Sequence, residues 1–307
     1  MPNDDRRTGG PPVQPIAGWA GYYRCLSSGS DSPGSRRLWA ASAGIGFTKV
    51  AMSIEQVLSG APVTSMDGAI NIMQAIDSTL DANDGLRWFN HLYLRVTLSV
   101  DSAARDAQFG DPAFLRELDV VFANMYFSAV ASGLANLGAA PSAWQPLLRA
   151  RRDPRIAPIQ FALGGMNAHI NRDLPDGIVQ SFLALGGDPL SDRTRIVDFE
   201  RINDVLESVE KDVKTEFLTG AIAVIDRVGA PLDDVIAMWN VRQARAAAWT
   251  NAQVLWGLRA APVLRDRFFD RLDSLVGMSS RGLLLPVDAE LASSTIRGVL
   301  SDRPGRR

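Results

Sequence analysis

The chain has 307 residues, of which 46% are hydrophobic and 21% charged, so it is long enough to bury a large core. Lys and Arg number 32 against 34 Asp and Glu, and this net charge of −2 gives no electrostatic basis for binding nucleic acid or an anionic membrane surface. The single cysteine, Cys25, excludes an intramolecular disulfide. We find no apolar run of the roughly 18 to 20 residues that a membrane-spanning helix needs, and we expect a soluble, cytoplasmic protein.

Residues 1–51 are predicted to be a disordered or weakly structured extension, because they are rich in Gly, Pro and Ser and lack periodicity. Within them, Arg36-Arg37 and the apolar run 38–47 have the outline of a twin-arginine export signal. The arginines lie far from the terminus, the run is short and no clear cleavage site follows. A peripheral extension is the favoured interpretation, and the export signal stays an alternative.

From residue 52 onward the pattern is helical, with apolar residues recurring at threes and fours. Asp111-Pro112 is typical of a helix start, and Gly229-Ala230-Pro231 of a helix end. The predicted helices are 65–80, 85–104, 111 through 130, 141 to about 149–152, 156–172, 175–185, 198–228, 232–259 and 262–276. No alternating β-branched run competes with them, so we predict an all-α bundle of about eight or nine helices over residues 52–286, followed by a tail, 287–307.

The stretch from Phe161 to Pro175 is an apolar run that ends in a dense cluster of polar residues. His169 and Asp173 lie four residues apart, and on one helix they would sit on the same face within hydrogen-bonding reach. Asp173 would then fix the tautomer of His169, leaving the other ring nitrogen as a general acid or base. The sequence thus offers these two residues as a catalytic pair.

A purely structural interpretation of the same residues stays open. Asp173-Leu174-Pro175 is a good N-terminal cap for the next helix, and the helix dipole favours a histidine in a last turn. Against it, Gly164-Gly165 inside a helix is costly and usually has a packing or functional reason. The two interpretations carry equal weight at this point.

Other residues could complete a site around this pair. Arg242 and Arg245 are three apart and could clamp a carboxylate or phosphate, although pairing with acidic residues of the preceding helix is the favoured interpretation. Polar neighbours and apolar side chains would bind and enclose the substrate. These further predicted substrate-binding residues are Asn167, Asn171, Trp88, Tyr126, Phe161 and Met166.

A metal site is the less favoured variant. His169 and Asp173 are too few to hold an ion, so His91 would have to join them, with Asp119 or Asp84 as further candidates. The run 203–212 superficially resembles the magnesium motif of class I terpene cyclases but departs from it at Glu207 and Lys211. Nucleotide-binding, zincin and nucleophile-elbow motifs are absent from the sequence. We therefore predict no cofactor.

Three blocks of the chain resemble one family: Trp88-Phe-Asn-His-Leu-Tyr-Leu94, the run from Phe114 to Phe127, and Met166-Asn-Ala-His-Ile-Asn-Arg-Asp-Leu-Pro175. They are similar to bacterial helical proteins classed as a domain of unknown function and common in actinobacteria. The resemblance covers roughly residues 52–286. It implies an all-helical fold and names no reaction.

Two functions of different class follow from these residues. The preferred one is a cofactor-independent enzyme in which the His169–Asp173 pair carries out hydrolysis, elimination or cyclisation on a small, partly apolar molecule. The alternative is a non-catalytic helical module that binds a ligand or a protein, and a metal-dependent hydrolase is a second alternative. A cavity shared by His169 and an arginine would favour the enzyme, whereas a buried His169 remote from any cavity would favour the module. The sequence indicates no oligomeric state.

Overall fold

A computed structural model describes residues 52–105, 109–207, 209 and 240–286 of the chain. Within these ranges the secondary structure is helical and contains no strand, which confirms the all-α prediction. Three predicted features lie outside the described residues: the extension 1–51 with its export-signal alternative, the helix end at 229–231, and the tail 287–307.

The described residues form a series of α-helices. We number them in chain order: α1 Ile54–Leu58, α2 Met66–Thr79, α3 Gly85–Arg105, α4 Pro112–Ala135, α5 Gln145–Ala150, α6 Pro158–Ala168, α7 Leu174–Leu185, α8 193–207, α9 Val241–Gly257 and α10 Pro262–Leu283. A π-helical segment, His169–Asp173, joins α6 to α7 without a break. Short 3-10 turns lie at Leu137–Ala139 and Leu258–Ala260.

Local capping explains where several helices begin. The side chains of Ser65, Asp111 and Asn240 accept hydrogen bonds from backbone N–H groups three residues later, at 3.1, 3.0 and 2.9 Å. These bonds satisfy donors that the first helical turn leaves unpaired. Helices α4, α6 and α10 also begin with a proline, whose missing N–H costs nothing there.

The core is organised around the rod formed by α6, the π segment and α7. Helix α3 packs along α6, α10 covers α6 from another side, and α7 lies between α4 and α9. One continuous cluster of buried apolar side chains fills the space between these helices. The π segment therefore lies at the centre of the bundle, in contact with α4, α9 and α10.

Helix α4 is the one described helix that is long and apolar enough to cross a bilayer. The expectation that no apolar run is long enough to span a bilayer was therefore wrong for this helix, because its charged residues, Arg116, Glu117 and Asp119, are confined to the first turns. Of the apolar window, 56% is buried inside the bundle. Because α4 packs against α7, it fits the core helix of a water-soluble protein.

Some predicted boundaries were wrong. The structure continues α10 to Leu283 instead of ending it at 276, adds the short helix α1, and starts α8 at 193 instead of 198. The predicted break between 172 and 175 is bridged by the π segment.

Candidate functional site

The π segment places the predicted pair at the middle of the bundle. Its backbone is wound more widely than an α-helix, and the Leu174 N–H bonds to the His169 carbonyl five residues earlier. Asp173 keeps helical dihedrals and makes no capping bond to α7, so the predicted N-cap role of this residue is wrong. Single π turns inside α-helices occur frequently at functional sites.

Asp173 is fully buried, and its carboxylate accepts hydrogen bonds from three side chains. Trp144 Nε1 donates to Oδ2 over 3.0 Å, Arg172 Nη1 donates to Oδ1 over 2.8 Å, and His169 Nδ1 lies 3.1 Å from Oδ2. Burial alone would raise the pKa of Asp173, but the hydrogen bond from His169 and the charge of Arg172 lower it. Asp173 is therefore ionised at neutral pH, and it assigns the imidazole proton to Nδ1 because an ionised carboxylate only accepts.

His169 is 1% exposed and is held by aromatic rings. Its ring stacks on Phe122, with 3.4 Å between centroids and 5° between planes, and meets the ring of Tyr93 edge-on at 4.5 Å. Burial lowers the pKa of His169, and the hydrogen bond with Asp173 opposes this shift. The imidazole is therefore neutral at neutral pH. Its Nε2 atom is buried and has no hydrogen-bond partner among the described residues, which leaves a lone pair directed away from Asp173.

A cavity of about 50 Å³ lies beside this ring, between α3, α4, α8, α9 and the central rod. Most of its wall is apolar. The polar side chains on the wall are Tyr93, Thr97, Asp119, His169 and Arg245. Since a water molecule occupies roughly 30 Å³ of liquid, the cavity admits one or two waters or a guest of few heavy atoms.

Two charged side chains face this cavity from different helices. Asp119, on α4, keeps part of its surface open but is surrounded by protein atoms, and burial raises its pKa to about 7 against the opposing charge of Arg245. Arg245, on α9, is 8% exposed, and burial lowers its pKa to about 10, with Asp119 opposing. Arg245 is thus a cation at neutral pH, whereas Asp119 exchanges its proton near neutral pH.

Of the residues predicted from sequence, the structure brings Met166, His169 and Arg245 to the cavity wall. Asp173 lies behind His169 and holds it. Arg242 lies apart, 56% exposed on the solvent side of α9, where Nη2 bonds to Asp204 Oδ1 over 3.0 Å. For Arg242 the structure therefore shows the interhelical pairing, and for Arg245 the approach to the site.

The two predicted asparagines form hydrogen bonds that connect helices, and they do not line the cavity. Asn167 Nδ2 donates to Ser280 Oγ over 2.9 Å and to the Val276 carbonyl over 3.2 Å, which ties α6 to α10. Asn171 Nδ2 donates to Asn167 Oδ1 over 2.9 Å. Neither asparagine is among the residues on the cavity wall.

The predicted aromatic lining is part of the core. Tyr126 is fully buried and its hydroxyl donates to Asn90 Oδ1 over 3.2 Å. Phe161 is 2% exposed and packs where a side chain at Gly85 would clash with its ring. Trp88 is half-buried against the core. These three side chains do not line the cavity, since their helical faces point to other layers of the bundle.

The glycine pair has a packing reason. A Cβ atom added at Gly165 would lie 2.4 Å from the ring of Phe89, so only glycine permits α3 to approach α6 this closely. Phe89 in turn meets the ring of His169 edge-on. The glycine thus helps to position the site without taking part in it.

The metal variant finds little support in the geometry. Among the described residues, no group of three or more His, Cys, Asp or Glu side chains could hold an ion. His91 lies on α3 with its Nδ1 3.7 Å from Asp77 Oδ2, and Asp84 is paired with Arg151 at 2.6 Å. The oxygens of Asp173 already accept three hydrogen bonds. The prediction that no cofactor binds stays a prediction.

Sequence reasoning missed two parts of the site. Asp119 was considered only as a metal ligand, although a lone carboxylate within the apolar stripe of α4, one turn before Phe122, is an unusual placement that the sequence does show. The other is Trp144, whose bond to Asp173 spans 29 residues, a separation that no local spacing in the sequence reveals.

A family model for proteins of unknown function, DUF5995, matches residues 66–286. The chain belongs to this family. The match covers most of the helical domain expected from sequence and includes the whole candidate site. No curated protein and no solved structure matched the chain. The family description names no reaction, so the function has to be argued from the site.

Proposed function

We propose that this protein is a cofactor-independent enzyme that uses the His169–Asp173 pair for acid–base chemistry on a small, partly apolar molecule. His169 Nε2 takes a proton from the substrate or from a water beside it, and ionised Asp173 stabilises the imidazolium that forms. Trp144 and Arg172 hold Asp173 in place, so the base is preorganised. Arg245 binds an anionic group of the substrate, while Met166 belongs to the apolar wall. The reaction class is hydrolysis, elimination or cyclisation.

The observation that carries this proposal is the buried Nε2 atom of His169, which lacks a partner in the described part of the chain and belongs to a ring on the wall of a cavity. A buried polar atom without a partner costs free energy, so its retention calls for an explanation. A base that takes a proton from the substrate is such an explanation.

We also infer a cytoplasmic location, in keeping with the lone cysteine. That Met166–Pro175 marks the family, and that the family is mainly actinobacterial, are further predictions.

Turnover can be tested without knowing the substrate. The purified full chain is incubated with a small-molecule extract of bacteria, and consumed and formed compounds are identified by mass spectrometry. The matched variants are H169Q and H91Q, because His91 is the other histidine and lies outside the cavity. We expect a compound that wild type and H91Q convert and that H169Q converts at least about a hundredfold more slowly. Equal conversion by H169Q, or no conversion by any form, contradicts the proposal.

A second function, ligand binding without turnover, is favoured by the size of the cavity. Its volume of about 50 Å³ is well below the roughly 300–1,000 Å³ of typical small-molecule pockets. A binding module would show a bound compound that is recovered unchanged, and H169Q would alter its affinity only.

A further inference from the structure

Arg245 is an unusual cation for the interior of a protein. Its Nε donates to Asn203 Oδ1 over 2.9 Å and its Nη2 donates to the Phe199 carbonyl over 2.8 Å, while the guanidinium lies 4.0 Å over the Phe199 ring. All of these partners are neutral. Within the described part of the chain it makes no ion pair with a carboxylate, and its Nη1 has no hydrogen-bond partner. Buried charges are normally paired, so this guanidinium is prepared for an anion that the described residues do not supply.

Asp119 lines the same cavity from another helix, α4. It lies three residues before Phe122, hence one turn along α4 from the ring on which His169 stacks. No hydrogen bond or close ion pair occupies its carboxyl group within the described residues. Among the described residues, the charged groups that act on its pKa are Arg245, which favours the ionised form, and Asp101, which opposes it. When protonated, Asp119 is a hydrogen-bond donor next to a cation.

We propose that the cavity binds a short-chain monocarboxylate, whose carboxylate is held between Arg245 and Asp119 while its hydrocarbon part lies against the apolar wall near His169. The planar fork of a guanidinium matches a carboxylate. One cation and one neutral donor balance one negative charge. A phosphate would bring a second charge and more polar oxygens to a wall made mostly of Val, Leu, Ile and Phe. The volume of about 50 Å³ limits the ligand to a few carbon atoms.

This inference deepens the proposed function by naming a ligand class for the same cavity. It does not depend on turnover, because a carboxylate can bind whether or not His169 acts on it. In the enzyme, the carbon or oxygen next to the carboxylate would lie toward His169 Nε2.

Binding of a carboxylate at this place is coupled to the uptake of a proton from solvent. The ionised form of Asp119 would repel the ligand, whereas the protonated form donates to it. The groups that face Asp119 are Arg245 from α9, Asp101 and Tyr93 from α3, and His169 from the π segment. Burial raises the pKa of Tyr93 well above its usual value and lowers that of His169, so both are neutral at neutral pH and Asp119 is the group that exchanges the proton.

The test is a titration of the full chain with propionate, followed by NMR spectra of the protein methyl groups at pH 6 and pH 8. Propionate is ionised at both values. Because the pKa of Asp119 is about 7, we expect the Kd to be about tenfold weaker at pH 8 than at pH 6. Propionamide, which has the same shape without the charge, should bind at least about tenfold more weakly than propionate at pH 6.

Two variants and one control locate the site. R245M should weaken propionate binding by at least about tenfold, while R242M, an exposed arginine on the same helix, should leave it within about twofold. D119N keeps an N–H donor and loses the titration, so it should bind equally at both pH values, as tightly as wild type does at pH 6. If R245M fails to fold, the result for D119N decides alone.

The outcomes separate this inference from the catalytic proposal. Propionate binding that depends on Arg245 and on pH, without conversion of any compound, supports the inference and removes the enzyme. Absence of propionate binding, propionamide binding as tightly as propionate, or an unchanged pH dependence in D119N overturns the inference, even if His169-dependent turnover is found.

Discussion

The described part of the bundle contains two histidine–aspartate pairs, and their surroundings differ sharply. In the core, His169 and Asp173 are 1% and 0% exposed and their polar atoms are 3.1 Å apart. On the surface, the side chains of His91 and Asp77 are 34% and 24% exposed and lie 3.7 Å apart. The second pair keeps part of its surface open to solvent, whereas the first is enclosed in the core and depends on Trp144 and Arg172 for every further bond.

The two arginines of α9 show the same contrast over three residues. Arg242 is 56% exposed and meets Asp204 in water, while Arg245 is 8% exposed and faces a cavity. Three residues turn a helix by about 300°, and this rotation is enough to move a side chain from solvent into the bundle. The same residue types therefore lie either in water or in the protein interior. Only in the interior, where the dielectric constant is low, does their charge cost much free energy and interact strongly with other groups.

The largest expected effect comes from breaking the buried pair. D173A leaves the Arg172 guanidinium, the Trp144 N–H and the His169 ring without their common partner in the core, so we expect the free energy of unfolding to fall by about 3–5 kcal/mol. D77A, the surface counterpart, should cost less than about 1 kcal/mol. Urea unfolding followed by circular dichroism measures both changes. Similar losses in the two variants would mean that Asp173 is not the centre of a buried network.

The contrast also explains what could be read from the sequence. Periodicity predicted α2, α3 and the start of α4 to within one or two residues, because α2 and α3 each present one apolar stripe and Ser65 and Asp111 cap the starts of α2 and α4. The break expected at Asp173–Pro175 does not occur. In the π segment the backbone hydrogen bonds join residues five apart, and the Leu174 N–H bonds to the His169 carbonyl. The rod therefore continues through Pro175.

The site was predictable only where it is local in sequence. The spacing of His169 and Asp173 predicts their contact, because residues four apart lie next to each other on one face of a helix. The bond from Trp144 and the approach of Asp119 and Arg245 to one cavity arise from the packing of separate helices. For the same reason, Phe161 and Tyr126 were expected in the cavity but belong to other layers of the core.

A smaller effect is expected on the pH dependence of the free energy of unfolding, because burial disfavours the charged form of Asp119. The folded-state pKa of about 7 lies above the roughly 3.9 of an unfolded carboxyl, so the folded state binds the proton more tightly. Stability contributed by this proton is complete below about pH 4 and is lost as pH rises to about 7. D119N removes the titration, and its stability relative to wild type should therefore increase by about 2–3 kcal/mol between pH 5 and pH 8. Urea unfolding at both pH values, with E117Q on the same helix as the control, measures it; a difference independent of pH would contradict the burial of Asp119.

The smallest effect separates the two sides of α9. In a double-mutant cycle of R242A and D204A, the coupling in the free energy of unfolding should stay below about 1 kcal/mol and shrink with added salt, because water and ions screen both side chains. The corresponding cycle of R245M and N203A should give about 1.5–3 kcal/mol, since the bond from Arg245 Nε to Asn203 Oδ1 is charged and buried. Salt should leave this second coupling nearly unchanged, because ions do not enter the bundle. Equal salt dependence of the two couplings would place Arg245 in water, and with it the cavity in which His169 is proposed to act.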